Sequence, residues 1–207
     1  LGGLIASKNY HLLFWIDGTT NILAAIFLYF ALAPSKNKAT QKVAEPKPDF
    51  VRSAYTDKNY LIYIFCVFLY AFTFFQLFTT QPVFFKTDFH LSESYIGILM
   101  ALNGLVITAF EMVVVHSIDG KRNTLRYISI GSALLGLSYL IFNFFPGGFF
   151  IALISTLICV AGEIFSLPFM NSHAMNKTNV HNRGQYAGLF TMAWAVAQVL
   201  EIGRAHV

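Results

Sequence analysis

The sequence predicts an all-α fold, a polytopic bundle of transmembrane helices, and three observations carry that prediction. Several apolar runs approach or exceed the length of about 20 residues that a bilayer-spanning helix needs. Charged residues make up only 12% of the 207 residues while hydrophobic ones reach 56%, against about 25% charged in an average soluble domain. Basic residues gather in every second connection between the runs, the pattern that the positive-inside rule produces in membrane proteins.

The elements follow in order. Residues 1–7 read as the last turns of a helix, with no cleavable signal pattern before them. The first complete run covers 11–33. Residues 34–59 form a long polar connection containing Pro46 and Pro48, the composition of a flexible linker between two helical bundles. Further runs cover 60–84, 94–115, 125–145 and 148–170, and 186–200 supplies most of another. Gln81-Pro82 falls near the end of the 60–84 run, where proline breaks the hydrogen-bond ladder. The tail Glu201-Ile202-Gly203-Arg204-Ala205-His206-Val207 ends the apolar pattern abruptly. It resembles the translation of a common sequencing adapter and is set aside from the fold as non-native.

Charge orients these runs. The 34–59 connection carries Lys36, Lys38, Lys42, Lys47, Arg52 and Lys58 against three acids. The 117–124 loop carries Lys121 and Arg122 with Asp119, and 171–185 carries Lys177 and Arg183 with no acid. Residues 85–93 have a single lysine, and 143–148 have no charge at all. The basic set is therefore expected on the cytoplasmic side, with a cell membrane, of the bacterial inner-membrane kind, as the location.

Other classes fare poorly. A net charge of +4 could suit nucleic acid, but the basic residues lie in inter-helix loops rather than on one face of a soluble fold. Cys66 and Cys159 sit singly in apolar runs without a CxxC partner, so they read as packed apolar residues. His90, His116, His173 and His181 lie at or beside loops without metal-ligand spacing and read as surface residues. No convergent His/Asp cluster suggests an enzyme, and no cofactor, metal or obligate protein partner is expected.

Four local features carry a family resemblance. Leu1-Gly2-Gly3-Leu4 resembles the tail of a glycine-rich fifth-helix motif, followed by the aromatic-basic turn Asn9-Tyr10-His11. The basic 34–59 segment matches a linker between six-helix halves. Ile118-Asp119-Gly120-Lys121-Arg122 resembles the second copy of an Asp-Arg loop motif, and Asn182-Arg183-Gly184-Gln185 the Arg-Gly segment opening an eleventh helix. Together they resemble the major facilitator superfamily, from the end of helix five into helix eleven. The resemblance implies an N-terminal half ending at 1–33, the cytoplasmic linker at 34–59, and the C-terminal half over 60–200. It also implies alternating-access transport, with Asp119, Lys121, Arg122 and Arg183 forming a cytoplasmic gate.

Candidate pathway residues come from polarity inside the runs. Asp17, Glu111 and Glu163 are carboxylates within apolar spans, each costing about 2.5–3.5 kcal/mol at a helix centre on insertion scales. Such acids should face a bundle interior or water. Glu163 is deepest and can take up and release a proton as a cavity opens to either side; Glu111 lies within two turns of the basic end and can instead pair with Lys121 or Arg122. Thr73, Gln76 and Thr80 share a helical face, and Asn103 joins the pathway set. Small residues form two further stripes: Gly97, Ala101, Gly104 and Thr108 on one helix, and Ser155, Cys159, Gly162 and Ser166 on another. Their glycines, like Gly184 and Gly188, are expected to let helices pack closely. The expected function is proton-coupled secondary transport of a small solute, with efflux by antiport preferred and uptake by symport as the alternative. A channel or other non-enzymatic membrane subunit is the rival from another class.

Overall fold

A computed structural model of the chain describes residues 10–31, 53–118, 124–176 and 182–204. It divides into two units, 1–50 and 51–207. The described part of the first unit is a single helix, α1 (Tyr10–Ala31), whose described large apolar side chains, such as Trp15 and Phe27, are exposed.

The second unit is a helical bundle. A short 3-10 turn at Ala54–Thr56 leads into α2 (Lys58–Phe75). Asp57 starts that helix because its carboxylate accepts the Tyr60 backbone N–H at 3.2 Å, satisfying an otherwise unpaired donor. Ser53–Asn59, expected in the linker from composition, are thus ordered against the bundle. After α2 the chain turns through 76–79 and resumes as α3 (Thr80–Thr87).

The break lies upstream of the Gln81-Pro82 pair that predicts it. Pro82 has no N–H for the carbonyl four residues back, Phe78, and its ring crowds that group. Helix is lost where the partner is lost, and Pro82 itself sits in the first turn of α3, where proline is tolerated. The expected single stripe of Thr73, Gln76 and Thr80 is therefore divided: Gln76 terminates α2 and Thr80 opens α3.

The remaining helices are α4 (Glu93–Ile118), α5 (Thr124–Leu140), α6 (Phe149–Asn176) and α7 (Arg183–Arg204). A 3-10 turn at Ile141–Asn143 extends α5, and Gly148 enters α6 at φ +132°, a conformation that favours glycine. Counting α2 and α3 as one span, five elements of the second unit are long and apolar enough to cross a membrane. Leu105, Met112 and Phe150 are 68%, 75% and 76% exposed, as expected of faces solvated by lipid rather than water.

Three helix pairings build the bundle: α5 with α6, α2 with α7, and α4 with α6. Residues from α2, α5, α6 and α7 meet in one core, including Val67, Tyr70, Leu135, Cys159, Met170 and Ala193. The α5–α6 crossing is the tightest: a Cβ added at Gly131 would lie 2.6 Å from the Gly162 carbonyl oxygen. Glycine is required there because the obstruction is backbone, which no rotamer change relieves. The other glycines differ. A Cβ at Gly97, Gly104, Gly184 or Gly188 would meet nothing within 4 Å, so within the bundle described those glycines are not packing surfaces.

Candidate functional site

α6 is the helix with the most buried side chains, and its small residues allow that burial. Ser155, Thr156, Cys159, Gly162 and Ser166 are all buried, and Glu163 is 2% exposed among them. The serine and threonine hydroxyls satisfy themselves at backbone carbonyls: Thr156 Oγ1 donates to Ala152 O at 2.8 Å, and Ser166 Oγ to Gly162 O at 2.5 Å. Ser155 Oγ reaches across to Ser138 O on α5 at 2.8 Å.

Glu163 takes one partner from another helix and one from its own. Asn103 Nδ2 on α4 donates to Glu163 Oε1 at 2.9 Å, and Cys159 Sγ donates to the same oxygen at 3.3 Å. Asn103 is itself buried. Among the described residues no basic side chain is recorded against this carboxyl. The group is thus held by neutral donors that can support it with or without a proton, which is the chemistry a reversible proton site needs. Three residues further along α6 and facing α2, Ser166 Oγ and Tyr70 Oη lie 2.6 Å apart.

The other expected site residues are dispersed. Glu111 is half-buried on α4, two helical turns beyond Asn103. The side chain of Asp17 and the loop residues Asp119, Lys121 and Arg122 lie outside the described residues, so the expected pairing of Glu111 with Lys121 or Arg122 does too. Arg183 is exposed on the first turn of α7. Gln76 is half-buried at the end of α2. Thr79 and Thr80 hydroxyls donate to Glu201 at 3.1 and 2.7 Å; Glu201 belongs to the tail set aside above, and no role is drawn from those bonds.

Sequence reasoning missed several groups. His173 is half-buried, stacked on Tyr63 with ring centroids 4.8 Å apart, rather than a plain surface residue. Cys66 is exposed instead of packed, whereas Cys159 is buried as expected. Tyrosines join helices through their hydroxyls: Tyr63 donates to Met170 O and Tyr60 to Tyr186 O, both at 2.7 Å. Gln81 is 3% exposed with both amide atoms unpartnered. A carboxamide inside an apolar run is the sequence signal for it, and its burial without partners is what the structure adds.

A cavity of about 740 Å³ opens between α2, α5 and the far end of α6, lined by residues including Tyr63, Cys66, Thr73, Ser132 and His173. Glu163 does not line it. The cavity and the buried acid are separate features, and the acid, with its specific donors, is the better candidate for coupling chemistry. No group of three or more His, Cys, Asp or Glu side chains suited to a metal occurs among the described residues.

The family model described as Major Facilitator Superfamily matches residues 1–200. No curated protein and no solved structure matches.

Proposed function

This chain belongs to the major facilitator superfamily of membrane transporters, and from that premise we propose that it is a proton-coupled secondary transporter whose coupling group is Glu163. The observation that carries the reading is the isolated carboxyl itself: 2% exposed, midway along a spanning helix, with Asn103 and Cys159 as neutral donors. An ionisable group at that depth is costly, and such groups mark ion and proton relays in membrane proteins. Alternating access supplies the rest: two helical halves rock about a midplane site, hydrating the carboxyl from one side and then the other.

The same reading keeps Asp17, Gln76, Thr80, Asn103 and Glu111 as pathway residues and Asp119, Lys121, Arg122 and Arg183 as a cytoplasmic gate. The small solute and H+ are its ligands, without a chemical step. Export by antiport is supported by the Leu1-Gly2-Gly3-Leu4 resemblance. Residues 201–207 are taken as non-native, and the family match stopping at residue 200 supports that.

The test is solute-driven proton movement in proteoliposomes of the intact transporter, across a panel of small solutes, with and without Glu163→Gln. Solute-dependent flux that the substitution abolishes is the expected result. Flux that survives it refutes Glu163 as the coupling group.

A further inference from the structure

Helix register places Gln81 on the way to the buried acid. Phe85, on α3, is buried with Leu99 of α4 and Ala152 of α6. Those three elements meet at one end of the bundle, because α3 leads directly into α4 and Tyr95 stacks on Phe149 with centroids 5.0 Å apart. One helical turn deeper on each element, along the same face, come Gln81, Asn103 and Thr156. Asn103 is the donor to Glu163. Gln81, Asn103 and Thr156 therefore follow that cluster on their three helices, and Asn103, through its bond to Glu163, links them to the acid two turns past Thr156.

Gln81 is the anomaly in this column. Its Nε2 and Oε1 are both buried and both lack a partner, whereas Thr156 and Asn103 are satisfied within the bundle. A buried carboxamide with neither donor nor acceptor paired bears its full desolvation cost, so such groups mark a bound water or ligand. The adjoining 76–79 break leaves non-helical backbone inside a span of apolar length, and within a membrane such backbone is tolerated where it lines a water-filled space. A second orphaned donor, Trp194 Nε1, belongs to a ring that packs on Phe74 and Phe75, the last two residues of α2 before the break, with centroids 5.6 and 5.8 Å away.

We infer that Gln81 is a hydration site on the route by which water and protons reach Glu163 from the end of the bundle opposite the basic loops. The ligand class is water, bound by a neutral group that offers one donor and one acceptor face. The carboxamide holds the last water above the dry layer that Asn103 and Thr156 close. The inference rests on Glu163 as the coupling group, and its test separates the two.

The experiment is cysteine labelling of the intact transporter in sealed vesicles with a membrane-impermeant cationic methanethiosulfonate reagent. The background has other cysteines replaced, and Gln81→Cys is compared with Leu77→Cys and Phe85→Cys, whose native side chains are fully buried. Because only a hydrated thiol ionises and reacts, labelling at position 81 is expected to be about tenfold faster or more than at 77 and 85. Position 81 as unreactive as 77 and 85 overturns the inference. Proton flux is read separately, so a dry position 81 with intact Glu163-dependent flux refutes the route alone. A labelled position 81 with flux surviving Glu163→Gln refutes the coupling reading alone.

Discussion

Replacing Gly131 with alanine should damage this bundle more than any other single methyl group added to a described helix glycine. The added Cβ would lie 2.6 Å from Gly162 O, 2.8 Å from Ser166 N and 2.9 Å from the Phe165 carbonyl carbon. All three are backbone atoms, so relief requires α5 and α6 to separate by several tenths of an ångström. That movement also stretches the 2.8 Å Ser155–Ser138 hydrogen bond and shifts the α6 segment that carries Glu163. Overpacking of this kind costs about 1–3 kcal/mol, which for a bundle of this size lowers Tm by roughly 2–12 °C. Gly97→Ala is the control: nothing lies within 4 Å of its Cβ, and alanine is about 1 kcal/mol better than glycine inside a helix. The assay is thermal unfolding of the intact transporter in detergent, followed by the monodisperse fraction remaining after heating. A Gly131→Ala protein as stable as Gly97→Ala would refute the close-crossing argument.

Other perturbations test other contacts. Asn103→Leu removes a hydrogen bond to a chargeable group worth about 1.5–3 kcal/mol; proton-coupled transport should fall by about tenfold or more, measured as initial rates at saturating solute. Tyr70→Phe and Ser166→Ala disrupt the same 2.6 Å contact, so a double-mutant cycle on unfolding should give a coupling energy of about 0.5–1.5 kcal/mol. Additive effects would show that the contact contributes nothing. Asp57→Ala removes the α2 N-cap and the Asp57 carboxylate that accepts the Tyr186 hydroxyl at 3.2 Å; a loss of about 0.5–2 kcal/mol is expected by the same unfolding assay, with no loss disproving the cap.

The helical class was legible because lipid imposes it. A run such as 148–170 must satisfy its own backbone hydrogen bonds in hydrocarbon, so apolar length alone identifies the helix, and α6 (Phe149–Asn176) extends it only at its polar end. Glu163 was legible for a related reason, since a carboxylate in such a run stands out against its neighbours. Its partner was harder to read. Asn103 comes from another helix, and the pairing depends on an α4–α6 contact that no spacing encodes.

The glycines show the limit most clearly. Gly104 and Gly131 look alike in sequence, each in an apolar run with small neighbours, yet one is open and the other seals a helix crossing. The difference lies in which helix faces which, a tertiary property. Pro82 predicted a break but not its position, because the disrupted carbonyl lies a turn before the proline. Gln81 is legible by its type but not by its environment: a carboxamide is ordinary in a loop and costly only once buried without partners.

Coupling at Glu163 is the central claim, and the most direct test compares two transport modes of one variant. In proteoliposomes, Glu163→Gln should retain solute counterflow, which needs binding and alternating access but no net proton transfer, and should lose solute movement driven by an imposed pH gradient. Loss of both modes would make Glu163 a structural or solute-binding group, and retention of gradient-driven movement would contradict the account outright.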